Sequence, residues 1–187
     1  MDAMFALENR VSCGKLKAPA PTQDQRKHLY KAALRAADHG SLRPWRFLEI
    51  EGEGLDELGK VFERAAISDD PELTEVQRER FRRMPTRAPL ILAAIAACIE
   101  HPKVPVWEQV VTTGAAVQNL ITAAFVNGVG AYWRTGAMVE HPEVKKALGL
   151  TESERLVGFI YMGEPMIPLK PVPADDPADY FQPWPVK

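Results

Sequence analysis

Thiols are scarce in this sequence. Cys13 and Cys98 are its only cysteines, too few for a disulfide framework or a cysteine-bound zinc, and a reducing cytoplasm is the compartment they imply. The four histidines, His28, His39, His101 and His141, fall at none of the short spacings that let one helix or loop present two imidazoles to a metal, so no metal site is expected. Positive charge is not in surplus either: 23 Lys and Arg stand against 25 Asp and Glu, for a formal net charge of −2. Binding to nucleic acid or an anionic membrane is driven by neutralising phosphates with a basic surface, so neither is an expected partner. Residues 1–9 carry Asp2 and Glu8 where a secretory signal needs a basic stretch followed by an apolar one. The longest apolar run, 88–99, is too short to cross a bilayer.

What is present is a chain of 187 residues, 46% hydrophobic and 26% charged, suited to one domain over 1–187 that buries roughly 70% of its unfolded surface. Residues 2–9 predict a short helix. Thr22 with Gln25 three residues later forms a capping-box pattern, and Leu29, Ala32, Ala33, Ala36 and Ala37 continue it as one buried helical face. A strand is expected over 47–51, stopped by Gly52 and Gly54, then helices over 55–67 and 72–84 and a turn between Pro85 and Pro89. The continuous apolar stretch 90–98 suits a central strand covered on both faces. The longest helix is expected over 106–127, with Val110, Gly114, Val117, Ile121, Ala124 and Phe125 on its apolar face and Gly128 as its stop. A strand or loop follows over 131–134, a short helix over 142–148 and a last buried strand over 156–162. From residue 165 to 187 seven of the 16 prolines accumulate, which predicts an extended arm without a helix of its own. Helices and strands do not alternate strictly, so the expected class is α+β.

Most short motifs have plain explanations. Gly54 to Lys60 has the spacing of a phosphate loop, but Val61 stands where a metal-binding hydroxyl is needed and Asp56 and Glu57 would repel phosphate, so a helix start is expected. Glu49, Glu51 and Glu53 share a period of two and read as one solvated strand face. Arg78, Arg80, Arg82, Arg83 and Arg87 are interleaved with Glu75 and Glu79 at helical spacing and read as a solvated helix face. Cys13 has no histidine near it in sequence to act as a base.

Three separated patches remain: Arg10-Val11-Ser12 with Lys15, Arg35 with His39, and Trp133-Arg134-Thr135-Gly136. Together they supply what flavin mononucleotide requires: cations and a hydroxyl for a phosphate dianion, cationic donors for the electron-rich pyrimidine edge, and an aromatic wall.

At these residues the sequence resembles the FMN-dependent NAD(P)H nitroreductase family, its smallest bacterial members in particular. The likeness covers nearly the whole chain. It rests on Met1-Asp2-Ala3 with Asn9-Arg10-x-Ser12, Arg35-Ala36-x-Asp38-His39-x-Ser41-x-x-Pro44-Trp45-x-Phe47, Arg87-Ala88-Pro89-Leu90-Ile91, Lys103-Val104-Pro105-x-Trp107-Glu108-Gln109, Trp133-Arg134-Thr135-Gly136 and Val157-Gly158-Phe159-x-Tyr161-x-Gly163. The resemblance implies a layered α+β sandwich with a mostly antiparallel central sheet, working as a homodimer with two FMN molecules at the interface. It implies ping-pong transfer of electron pairs from NAD(P)H to a small-molecule acceptor, nitroaromatic or quinone-like. Carried over by position, Arg10, Val11 and Ser12 hold the FMN ribityl phosphate with Trp133, Arg134 and Thr135, while Arg35 and His39 reach the flavin of the partner subunit. Ala123, Ala124, Phe125, Val126, Asn127 and Gly128 match the stretch the family assigns to NAD(P). The flavin itself carries the hydride, so no catalytic side chain is expected.

Two positions depart from the family pattern. Val11 stands where a second Arg is usual, and Lys15 where a later Arg is usual. Lysine keeps the charge but not the bidentate fork, so phosphate binding by this patch is expected to be looser, and Arg43 and Arg46 are the cations placed to compensate. Two alternatives to the nitroreductase chemistry are a non-catalytic flavin-binding or storage protein, and a family relative that remodels reduced FMN with oxygen.

Overall fold

The computed structural model describes residues 2–184 and sets one five-stranded antiparallel sheet between two helical layers. In chain order the elements are α1 (Ala3–Asn9), β1 (Leu16–Lys17), α2 (Gln23–Ala33), β2 (Trp45–Glu51), α3 (Glu53–Asp69), α4 (Glu75–Arg82), β3 (Leu90–Ala97), α5 (Val106–Val126), β4 (Gly130–Arg134), α6 (Ala137–Glu140), α7 (Pro142–Ala147) and β5 (Glu154–Pro165). The strands run β1-β5-β3-β2, and β4 also pairs with β5. The α+β class read from the sequence is the class observed.

β3 shows why a continuous apolar run was needed. Leu90, Leu92 and Ala94 face a core with α2 and α5, and Ile91, Ala93 and Ile95 face a second core with α3 and α7. Both faces are sealed, and each large side chain so buried contributes roughly 1.5–3 kcal/mol. α5 is long and apolar enough to cross a membrane by length and composition, but it packs against α2, β3, β4 and β5. Its polar residues tie it to the chain just before β2 and just after β3. Gln109 Nε2 donates to the Ile99 carbonyl at 2.8 Å and its Oε1 accepts from Ile99 N–H at 3.0 Å, while Thr113 Oγ1 donates to the Pro44 carbonyl at 2.7 Å.

The local signals place several boundaries. Both Thr22 with Gln25 and Thr74 with Gln77 form complete capping boxes. Gly128 (φ 69°) and Gly149 (φ 68°) end α5 and α7 in the left-handed region.

The structure also departs from expectation. α2 stops at Ala33, where Arg35 and Ala36 bond back to Ala32 and Ala33 in a tightened last turn, so Ala36 and Ala37 are not part of the helical face. Glu53 lies in α3, not on the strand face. Glu49 and Glu51 are half-exposed and clamp Arg26, whose guanidinium reaches them at 2.9 and 2.6 Å while its residue stays 6% exposed. The two-residue strand β1 is too short to show a period. The arm holds one turn of 3-10 helix at Pro177–Asp179, capped by Asp176; its last residues, 185–187, and Met1 lie outside the described residues.

Candidate functional site

β4 and β5 build the most distinctive polar feature of the molecule. In their antiparallel register Tyr132 lies opposite Tyr161, and the period of two carries Arg134 to the same face. The Arg134 guanidinium sits 4.4 Å from the Tyr132 ring centroid and 5.2 Å from that of Tyr161. Burial pushes the Tyr161 hydroxyl up to about 12, so it stays a neutral phenol beside that cation. Among the described residues Arg134 makes no ion pair, and its Nε is buried without a hydrogen-bond partner. A cation held by two ring faces and left without an acceptor is a seat for an anion or an electron-rich ring edge.

The segment after α1 arrives at the same strand. Cys13 N–H donates to the Ala131 carbonyl at 2.9 Å, and a Cβ at Gly14 would stand 3.0 Å from the Tyr132 ring. Through Gly14, the loop that carries Arg10, Val11, Ser12 and Lys15 thus reaches the same Tyr132 ring on which the Arg134 guanidinium sits. Arg10 and Val11 also line a small crevice with Phe125, Gly130 and, from the arm, Leu169. Cys13 is 5% exposed, with its thiol turned to the Lys15 carbonyl, and is packing, not a nucleophile.

Trp133 points the other way. Its indole packs with the α5 core, and Nε1 donates to the Val157 carbonyl at 3.3 Å. What it offers the Arg134 face is backbone. Thr135 is exposed just past the strand end.

Arg35 lies elsewhere in the same chain. It lines an open cleft of about 460 Å3 with Leu34, Asp38, Ser41, Arg43 and Trp45, and none of Arg10, Ser12 or Arg134 reaches that cleft. His39 stands in the loop between them, its Nδ1 2.8 Å from Glu108 Oε2 on α5. Two non-glycine residues of this loop hold left-handed backbone, Ser41 (φ 54°) and Arg43 (φ 51°), a conformation that costs on the order of 1 kcal/mol each. Asp38 steadies it by accepting Arg43 N–H at 2.7 Å. Such strain gathers where a loop must present groups in one arrangement.

Two similarities to known proteins decide the family, and a third shows the fold. The model of the nitroreductase family matches residues 7–164. Over 170 residues, covering 89% of this chain and 90% of the relative, the sequence is 43% identical to the Escherichia coli (strain K12) protein named "Putative NAD(P)H nitroreductase YdjA". A nitroreductase-like family protein from Bacillus cereus superposes with a TM-score of 0.80 at 20% identity, covering 97% of this chain and 95% of that one. The chain belongs to the nitroreductase family. The fold also matches, with a TM-score of 0.67 at 18% identity over 96% of both chains, a Desulfitobacterium hafniense nitroreductase solved with bound FMN.

Within this nitroreductase fold the remaining candidates have defined surroundings. Of the segment 123–128, Ala124 is sealed in the core, Asn127 bonds back to Ala123, and Phe125, Val126 and Gly128 reach the surface or a crevice. Arg46 is not a spare cation for a phosphate, because it grips Glu154 at 2.5 and 2.9 Å; Arg43 opens on the Arg35 cleft. Two arginines at the end of α4 are likewise occupied: Arg82 bonds Glu63, Glu75 and Glu79, and Arg83, its C-cap, bonds Glu79. Among the described residues no three His, Cys, Asp or Glu side chains gather as a metal site would require. Sequence reasoning did not single out Tyr132, Gly14 or Glu108 for roles at these sites. Only the β4–β5 register, with partners 29 residues apart, reveals the ring pair under Arg134.

Proposed function

We propose that the chain is an FMN-dependent NAD(P)H nitroreductase that passes electron pairs to nitroaromatic or quinone-like acceptors by a ping-pong mechanism. The observation that carries this reading is the unpartnered Arg134 guanidinium on Tyr132 and Tyr161, beside the loop of Arg10, Ser12 and Lys15. The name of the E. coli relative and the FMN in the D. hafniense structure support the same cofactor pair.

In this reading Arg10, Val11 and Ser12 hold the ribityl phosphate, joined by Lys15, while the end of β4 contributes Arg134, Thr135 and the backbone of Trp133. FMN, when bound, supplies the hydride chemistry. The protein's part is to fix the cofactor, neutralise its charge and keep one face open to donor and acceptor in turn. Arg35 lines a different cleft and His39 stands beside it against Glu108, so in this reading they serve the site of a second copy. Exposed apolar residues support a homodimer. Met4, Phe5 and Leu7 on α1 are 56%, 49% and 65% exposed, and Trp107 and Val111 on α5 are 64% and 62% exposed, more apolar surface than an isolated subunit favours. The two buried, unpaired cysteines suit a reducing cytoplasm.

The test is an absorption spectrum of the purified protein, followed by anaerobic titration with NADH and with NADPH and then with a nitroaromatic or quinone. A flavin spectrum that bleaches with nicotinamide and returns with acceptor is expected. Protein with no flavin and no affinity for added FMN overturns the reading. A bound flavin that stays oxidised identifies a storage protein, and breakdown of reduced FMN under air identifies a cofactor-remodelling enzyme.

A further inference from the structure

Trp133 occupies a slot made by two glycines. On the α5 side, a Cβ at Gly114 would meet the indole at 3.7 Å, an ordinary contact. On the β5 side there is no such room: a Cβ at Gly158 would overlap Nε1, stand 2.7 Å from Cδ1, and lie 2.8 Å from the Arg134 carbonyl. Gly158 also has a φ of 155°, which side-chain-bearing residues seldom adopt.

The slot depends on an irregularity in the sheet. Down to Ala94, β3 pairs with β5 in one register, Ala94 opposite Gly158; from Ile95 it pairs one residue out of step, Ile95 opposite Leu156. Val157 is the extra residue of this bulge. A bulged residue is released from the ladder, and the Val157 carbonyl accepts the indole N–H. One insertion in β5 thus supplies both the acceptor for Trp133 and, in the next residue, the space for its ring.

We propose that the Val157–Gly158 bulge is a positioning device for the cofactor site, with Gly158 its key residue. By seating Trp133 it fixes the end of β4, and so sets the Arg134 guanidinium and backbone where the ligand phosphate or ring edge is met. This inference rests on the FMN reading above. Gly158 is itself buried against Trp133 and the Arg134 carbonyl, and it acts through those two residues.

The test compares FMN affinity, by fluorescence titration of the flavin-free protein, in the wild type and three variants. Gly158→Ala is expected to weaken FMN binding about tenfold or more, the effect of misplacing one charged hydrogen bond. It should also change the near-ultraviolet circular dichroism of the flavin-free protein, a change absent when Gly158→Ala is made in a Trp133→Phe background. Gly59→Ala is the control for general destabilisation, since a Cβ there would meet the Arg82 backbone between α3 and α4, and its FMN affinity should match the wild type. Gly114→Leu presses on the same indole from α5 and should weaken FMN binding even if Gly158→Ala fails to fold. FMN affinity in folded Gly158→Ala within about twofold of wild type overturns the proposal, as does equal weakening by Gly59→Ala or, should Gly158→Ala not fold, unchanged affinity in Gly114→Leu. Wild-type protein that does not bind FMN overturns the function and this inference with it, an outcome separate from wild-type binding with insensitive variants.

Discussion

Arg134 and Arg46 are both guanidiniums on the sheet, and their surroundings give them opposite work. Arg46 is consumed by Glu154, and the bidentate contact pulls the Glu154 carboxyl down to about 2 from its usual 4.5. A carboxylate with a lowered folded-state value stabilises the protein fully above about pH 4.5, and that stabilisation disappears as pH falls toward 2. Glu154→Gln should therefore cost on the order of 1–2 kcal/mol at neutral pH, allowing for screening at the partly exposed Arg46 end, and should flatten the loss of stability between pH 4.5 and 2. Urea unfolding at pH 7 and pH 3 measures both, and an unchanged acid slope would refute the assignment. Arg134, with rings beneath it and no carboxylate partner among the described residues, has its charge free for a ligand. Arg134→Ala should lower FMN affinity by about ten- to a hundredfold, the worth of one charged hydrogen bond, with little change in the unfolding midpoint of the flavin-free protein. A large fall in that midpoint with intact FMN binding would assign the residue to the fold instead.

At the scale of elements, the sequence was most readable where a single short-range rule decides the outcome. Thr22 and Gln25 mark the start of α2 because a side chain and a backbone group three residues apart satisfy each other. β3 was legible because an eight-residue run without a polar residue, Leu90 to Ala97, preceded by Pro85 and Pro89, suits a short strand buried on both faces. The end of α2 was not, because the alanine spacing continues past Ala33 while the chain turns to form the loop of His39. The bulge at Val157 was also hidden, since Gly158 lies in an apolar run that a regular strand would equally produce. Of the candidate site, the cationic loop and Arg134 could be read from residue type, but the tyrosine pair beneath Arg134 depends on register. Gly59 shows the same limit in α3: it read as one glycine of a motif, yet a Cβ there would run into the Arg82 backbone at the end of α4. Gly59→Ala should destabilise by about 1–2 kcal/mol, overpacking outweighing the gain in helix propensity, as chemical denaturation will measure. A stabilised variant would show that α4 yields easily.

For the whole molecule, the separation of Arg35 from Arg134 is the main consequence of the fold. If the site is shared between two copies, a mixed dimer of Arg10→Ala and Arg35→Ala subunits contains one site with both defects and one with neither. Such heterodimers, isolated with two affinity tags, should recover half the FMN stoichiometry of the wild type, whereas each variant alone binds poorly. No recovery in verified heterodimers would place Arg35 and His39 outside the site. The burial of the two thiols bears on how such experiments are built. Cys13 and Cys98 are 5% and 4% exposed, and burial also pushes the Cys98 thiol above its ordinary range. Neither offers maleimide an accessible sulfur. A cysteine introduced at the 90% exposed Trp184 would thus take a dye at a single known point of the arm without first removing any native residue, and energy transfer from that point would trace which subunit the arm lies against.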